Sequence, residues 1–434
     1  MRGSNEKNEA RSGPMFGSKK APEEAGYSMS KLDTHPRNTP PTFGDAAAIA
    51  FCSCLGPFAI SAYMPGFPAM AEEFGTSVVM VQQSLSFYLI PFACGSLIVG
   101  ALSDVFGRRP VFAFGMLLFI LASIGAGLSG SLEMLCFWRV MQGLGASVGP
   151  VITQAVVRDC WDGTNATKMT GLISIFFAIA PAISPVMGGQ IFLWGGWRAV
   201  FAFLVIFATG IVLTLFMKIG ETLPEAKRQS LDLKAMGEAY GIGLRHKAFM
   251  AGVLAHGVCF MGGIIYSAGG SDIVMNILGY GAGDFAWLTF PIVASGMVGA
   301  YLATASYTRY GPGIVSSMLV VMTVVSALCT VANAVFPVSY GLLIIGPVVF
   351  HFGMGLTRPI MMVMNLDYFP TRRGMAASVQ QFLHTAFFAV CTVFWLPVVY
   401  GVVWKYAAVM TLSALLTFLL WRSSMANRRK STEV

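Results

Sequence analysis

The side chains able to do chemistry in this chain are few and widely spaced. Asp104, Arg108 and Arg109 fall within Gly100-Ala101-Leu102-Ser103-Asp104-Val105-Phe106-Gly107-Arg108-Arg109-Pro110, a short polar break between two long apolar runs. Arg139 and Gln142 are three positions apart, so on a helix they point to one face. Asp272 follows Gly269-Gly270-Ser271 at the end of another apolar run, while His256, His351, His384 and Arg358 lie inside such runs. No nucleophile stands beside a base, no CxxC pair occurs, and the histidines lack metal spacing. An enzyme is therefore not expected, nor a cofactor. Isolated charges in apolar surroundings bind ions, carry protons and exchange partners.

The elements that must hold these groups are membrane helices. The chain has 434 residues, 56% hydrophobic and 11% charged, with mean hydropathy +0.69. A soluble domain is nearer a quarter charged. Apolar runs of about 20 residues recur along the length, and the alternation of a membrane barrel is absent. We read twelve spans: about 45–68, 83–103, 110–130, 133–157, 168–192, 198–219, 247–270, 285–306, 313–333, 338–362, 375–397 and 400–421. This predicts an all-α integral membrane protein. A half at residues 45–219 and a half at 247–421 are joined by a polar linker at 220–246, with a disordered tail at 1–44 and a basic tail at 422–434. Arg108, Arg109, Arg158, Lys168, Lys218 and the linker's Lys227, Arg228 and Lys234 gather on one side. Short cytoplasmic loops collect such residues, which places both termini in the cytoplasm. The net charge of +8 is thereby explained by topology, with no nucleic-acid partner expected.

The halves resemble each other. Gly143-x-Gly145, Pro150 and Asp159 recur as Gly353-x-Gly355, Pro359 and Asp367, and Gly107 as Gly311. Such internal symmetry marks transporter folds with a site between two halves. Arg139 is either a cavity arginine answering to a proton or substrate, or a residue snorkelling to the surface. Pro181, Pro185, Gly188 and Gly189 make span five a bent helix that a neighbour can approach closely. A mixed aromatic and methionine lining suits amphipathic molecules of varied shape; we assign Tyr63, Tyr88, Gln142, Phe176, Phe177, Phe260, Tyr266 and Met361 to it.

These motifs resemble the major facilitator superfamily, and more closely its twelve-span drug:proton antiporters of the Bcr/CflA type. Gly100, Asp104, Gly107, Arg108 and Arg109 match the family's loop between spans two and three, with Val105 where a base is usual. Arg139, Gln142 and Gly143 match its span-four pattern, and Arg158-Asp159 the end of that span. Ser184-Pro185-x-x-Gly188-Gly189 matches the span-five antiporter pattern one glycine short, and Glu221-Thr222-Leu223-Pro224 also fits. The resemblance implies the major facilitator fold of two pseudo-symmetric six-helix halves. It also implies proton-driven export of small amphipathic compounds across a bacterial inner membrane, with the proton gradient as energy source and a monomer in the bilayer.

Two points depend on that resemblance and on the repeat. Many relatives carry an acid in span one before a Tyr-x-Pro element; here Ser61 and Ala62 precede Tyr63-Met64-Pro65. The proton carrier must lie elsewhere, and Asp272 is the first choice, the alternative being a wet helix-end acid. The gating set is Gly100, Asp104, Gly107, Arg108, Arg109, Arg158, Asp159, Pro185, Gly188 and Gly189. Within it, Asp104 is expected to dock on the start of span eleven near Gly374–Ala377 in the outward-open state and to release when the cytoplasmic side opens, and Gly100 to permit close helix approach. The other readings left open are a transporter of one metabolite, such as an amino acid or siderophore, and a non-transporting membrane sensor or scaffold.

Overall fold

The structure is a computed structural model that describes residues 43–161, 163–218, 220–228, 233–281, 284–369 and 373–432. The side chains of Arg158, Phe176 and Phe177, and the expected tail up to residue 42, lie outside the described residues. The helices are α1 (Phe43–Ser61), α2 (Phe67–Glu73), α3 (Val78–Gln82), α4 (Ser84–Phe106), α5 (Arg108–Gly127), α6 (Leu132–Ala146), α7 (Val148–Cys160) and α8 (Gly163–Lys218). There follow α9 (Leu233–Arg245), α10 (Lys247–Ala268), α11 (Phe285–Tyr310), α12 (Gly313–Val335), α13 (Tyr340–Leu366), α14 (Arg373–Val399) and α15 (Val403–Thr432). In hydrocarbon every backbone N–H needs an internal partner, which helices supply.

Twelve spans result among the described residues, because α1 with α2, α3 with α4, and α6 with α7 each make one crossing and α8 makes two. As one rod, α8 would be about 84 Å long, far beyond a bilayer. It breaks between Trp194 and Trp197, where Gly196 takes φ 71°, a region that glycine enters without a Cβ clash. Side-chain oxygens of Ser131 and Ser339 accept the Met134 and Leu342 N–H groups and start α6 and α13.

The two pseudo-symmetric halves are built alike. In the first, α1 packs on α8 and α6 on both α4 and α5; in the second, α10 packs on α15 and α13 on both α11 and α12. The halves meet where α4 lies on α14 and α8 on α11. The glycine repeat does this work in swapped order. A Cβ on Gly143 would strike the Tyr88 carbonyl of α4 and one on Gly145 the α5 backbone, whereas Gly353 faces Met322 of α12 and Gly355 the Gly296 carbonyl of α11. The four positions share a task but are not register equivalents.

Two expectations need correction, and the linker holds a helix of its own. A Cβ on Gly100 would meet only Val151 Cγ1, at 3.8 Å, an ordinary contact, so this glycine is not what lets helices approach. The polar linker is partly helical. It contains α9, whose Tyr240 donates to the Leu97 carbonyl of α4 at 3.3 Å and also meets Ser378 of α14. The last helix runs on to Thr432 rather than ending near 421, because Ser424 donates to the Ala248 carbonyl at 2.8 Å and Arg428 lies 5.3 Å from the Tyr368 ring centroid.

Candidate functional site: a buried arginine, a buried acid and a hairpin network

The first cluster is built on the α4–α5 hairpin. Gly107, at φ 98°, reverses the chain so that Arg108 returns over the last turn of α4. Its Nη1 pairs with Asp104 Oδ1 at 2.5 Å and donates to Ser103 Oγ at 2.6 Å; its Nε donates to Asp159 Oδ2 at 3.0 Å. Thr222 Oγ1 donates to the same Asp159 oxygen at 3.1 Å. Asp104 is thus paired inside its own hairpin; the expected docking point, Gly374–Ala377, lies in part outside the described side chains. The reason is local: four residues after Asp104, the turn at Gly107 delivers a guanidinium to it. The carboxylate at a helix N-terminus is instead Glu221, which accepts the Arg108 N–H at 3.0 Å, the Arg109 N–H at 3.1 Å and the Leu223 N–H at 3.0 Å. It satisfies donors at the start of α5, where a negative charge also meets the helix dipole. The sequence offered a sign of this. The first turn of α5 holds two arginines and no acid, so a partner had to come from another segment.

The second cluster lies within the first half. Arg139 is fully buried, and its guanidinium sits between the Tyr63 ring at 4.5 Å and the Tyr88 ring at 4.3 Å. Nη1 donates to the Ala59 carbonyl at 3.0 Å and to Gln142 Oε1 at 2.5 Å. Gln142 Nε2 passes the chain on to Ser123 Oγ at 2.7 Å, and the Tyr63 hydroxyl meets Ser84 Oγ at 2.8 Å. Among the described residues, no carboxylate pairs with Arg139, and its Nε and Nη2 have no acceptor. Burial this complete removes the snorkelling alternative. Cation–π contact worth about 2 kcal/mol in a desolvated setting offsets part of the cost of a lone charge here. Gly188 belongs to this architecture: its Cβ would overlap the Ala62 carbonyl, one residue before Tyr63. Pro185 and Gly189 are buried along the same stretch of α8.

The third cluster is in the second half. A π-helical turn, Asp272–Ile277, continues α10. Asp272 is 1% exposed and is the one described carboxylate in the buried class. Its Oδ2 accepts the Tyr406 hydroxyl at 2.7 Å and the Gly401 N–H at 2.7 Å; its Oδ1 accepts Asn276 Nδ2 at 2.9 Å. It therefore ties the end of α10 to the turn between α14 and α15. Tyr266 stacks edge-on with Tyr406 and donates to the Leu343 carbonyl at 2.7 Å.

The structure accordingly gathers Tyr63, Tyr88 and Gln142 around Arg139, and places Tyr266 beside the partner of Asp272. Phe260 lies under Arg358, and Met361 is fully buried in the second half. Arg139 and Asp272 belong to different halves and are not brought together. One ionic cluster escaped the sequence reading. Glu73 pairs with Arg198 at 2.6 Å and accepts Trp197 Nε1 at 2.8 Å, holding α2 to the second part of α8. The Gly-Gly-Trp-Arg sequence after span five was its only sign.

Membrane helices in two related halves, with buried charges among the described residues, define a membrane transporter. The sequence model of the Major Facilitator Superfamily matches residues 49–390, and the chain belongs to that family. It is 31% identical over 300 residues to the "Uncharacterized MFS-type transporter YdgK" of Bacillus subtilis (strain 168), covering 67% of this chain and 73% of that protein. It is 26% identical over 338 residues to "Multidrug resistance protein D" of Escherichia coli (strain K12), covering 75% of this chain and 81% of that one. A solved structure of a D-xylose-proton symporter shares the fold, with TM-score 0.66 at 15% identity over 86% of this chain and 97% of the other.

Proposed function

We propose that this transporter exports small amphipathic compounds from a bacterial cytoplasm in exchange for protons, by rocking its two halves. The observation carrying this reading is Arg139, a desolvated guanidinium between two tyrosines, with unpaired N–H groups and no carboxylate partner among the described residues. Such a group responds to charge arriving from outside the protein. The likeness to "Multidrug resistance protein D" of Escherichia coli supports multidrug export. The arginines of the hairpin and linker support a cytoplasmic position for that end and for both termini, in an inner-membrane monomer that uses the proton gradient and no cofactor.

Proton exchange falls to Asp272, the buried carboxylate among the described residues. Its three acceptor bonds anchor the α14–α15 turn. Taking up a proton would cost one of them and free that turn to move with the second half. Transport into inverted vesicles, measured against a compound panel with and without a pH gradient, tests the reading. Gradient-driven accumulation is expected for wild type, and Asp272→Asn should retain less than a tenth of it. Movement independent of the gradient would remove the antiporter reading, and full coupling in Asp272→Asn would remove the assignment of the acid. Accumulation of a single metabolite would replace the multidrug reading.

A further inference from the structure

The second half holds a polar cluster that the coupling scheme does not use. Arg358 of α13 reaches His384 of α14, with Nη2 3.4 Å from the imidazole Nε2. Its guanidinium lies 4.2 Å from the centroid of the Phe260 ring of α10. The His384 ring is 4.2 Å from the same Phe260 and 5.2 Å from the His256 ring, and Phe388 meets Phe260 edge-on at 5.8 Å. Three helices thus place one guanidinium and two imidazoles around two phenyl rings.

What distinguishes this cluster is its unfilled hydrogen-bonding capacity. Arg358 Nε, His256 Nδ1 and His384 Nδ1 are buried atoms without a partner among the described residues, and no carboxylate pairs with Arg358. His256 is 5% exposed and His384 9%, and Arg358 is partly buried. His351, on the same helix as Arg358, is spent differently, since its Nδ1 bonds the Pro347 carbonyl at 2.9 Å. Arg139 in the other half has two good acceptors and two rings; Arg358 has one long contact and one ring. A charge so weakly satisfied at this depth is costly unless something else completes it.

The depth is right for a transported molecule. At about 1.5 Å per residue, Arg358 lies about 12 Å from the end of α13, His256 about 14 Å from the start of α10 and His384 about 16 Å from the start of α14. All three are near the middle of a hydrocarbon layer about 30 Å thick. His384 also sits where the halves meet. Ser86 of α4 donates to the Ala389 carbonyl, and Tyr240 links Leu97 to Ser378, so His384 falls between these bridges, at about the level of Pro91.

We propose that Arg358, His384 and His256 form a binding site for the carboxylate, or a similar compact anionic group, of an amphipathic acid. The guanidinium fork takes the planar anion in two parallel hydrogen bonds, the imidazoles supply further N–H donors, and Phe260 and Phe388 cover the apolar body. The proposal rests on the export reading and narrows its substrate class to include organic acids.

The test uses the purified full chain in nanodiscs and equilibrium dialysis against 2-naphthoate and its neutral isostere 2-naphthamide, with empty nanodiscs subtracted. Wild type is expected to bind naphthoate at least tenfold more tightly than naphthamide. Arg358→Gln should bring that ratio close to one, chiefly by weakening naphthoate binding, and Arg358→Lys should restore part of the preference by charge alone. His384→Gln should lower it about threefold, and decides the matter if Arg358→Gln fails to elute as a single species. Equal binding of the two probes by wild type, no binding of naphthoate, or an undiminished preference in the variants would overturn the site. Gradient-driven export of neutral or cationic compounds by the same variants judges the transport reading separately, so either can fail alone.

Discussion

At the scale of single residues, function rests on charges whose partners are backbone groups and rings as often as opposite charges. Glu221 is the clearest case, since it serves three backbone N–H groups at once. Glu221→Ala should cost about 1–3 kcal/mol, read as a fall of several degrees in the unfolding temperature of detergent-solubilised protein; Glu221→Gln, which keeps an acceptor, should cost less. Arg139→Lys keeps the charge but loses the planar group that faces both Tyr63 and Tyr88. Gradient-driven transport is expected to fall at least tenfold with normal expression, and transport at the wild-type rate would show that any cation suffices. The types of these residues were legible in the sequence. Their partners were not, because a carboxylate 113 positions away from the N–H it accepts leaves no local pattern. For Asp104 the repeat pointed to span eleven, while its ion pair in this structure is with Arg108, four positions away.

At the scale of elements, what matters is which backbones are allowed to touch. The sequence marks glycines but does not say which of them is against something. Gly188 and Gly100 looked alike in that respect, each within a family pattern. The structure separates them: a Cβ on Gly188 would overlap the Ala62 carbonyl, which cannot swing aside, while one on Gly100 would rest at 3.8 Å from a valine methyl. Gly188→Ala should therefore push α8 off α1, destabilise by about 1–3 kcal/mol and disturb the position of Tyr63. Gly100→Ala should stay within about 0.5 kcal/mol. Thermal unfolding of the two variants side by side checks this, and equal tolerance would mean that α1 and α8 can separate freely at this level. The span positions were legible because a hydrocarbon layer imposes length and polarity on every helix. Helix α9 was hidden because it is a surface helix in a polar segment, and its packing is settled by Phe249, Tyr368 and Val379 from elsewhere in the chain.

At the scale of the whole molecule, transport by rocking requires that contacts between the halves be broken and remade. Two are specific. Ser86 of α4 donates to the Ala389 carbonyl of α14 at 3.2 Å, both residues being buried, and nearer the hairpin end Tyr240 of the linker spans from Leu97 to Ser378. The linker is thus a strut between the halves as well as a tether. If the halves move as rigid bodies, fixing α4 to α14 at Ser86 must arrest the cycle wherever the proton and substrate bind. The test is a chain carrying Ser86→Cys and Ala389→Cys, with the exposed Cys94 replaced by Ala. Oxidation should lower gradient-driven transport at least tenfold in the double variant and leave each single variant unaffected, and reduction should restore it. A fully cross-linked protein that still transports would mean that the halves do not part along α4 and α14, and that the moving boundary lies along α8 and α11 alone.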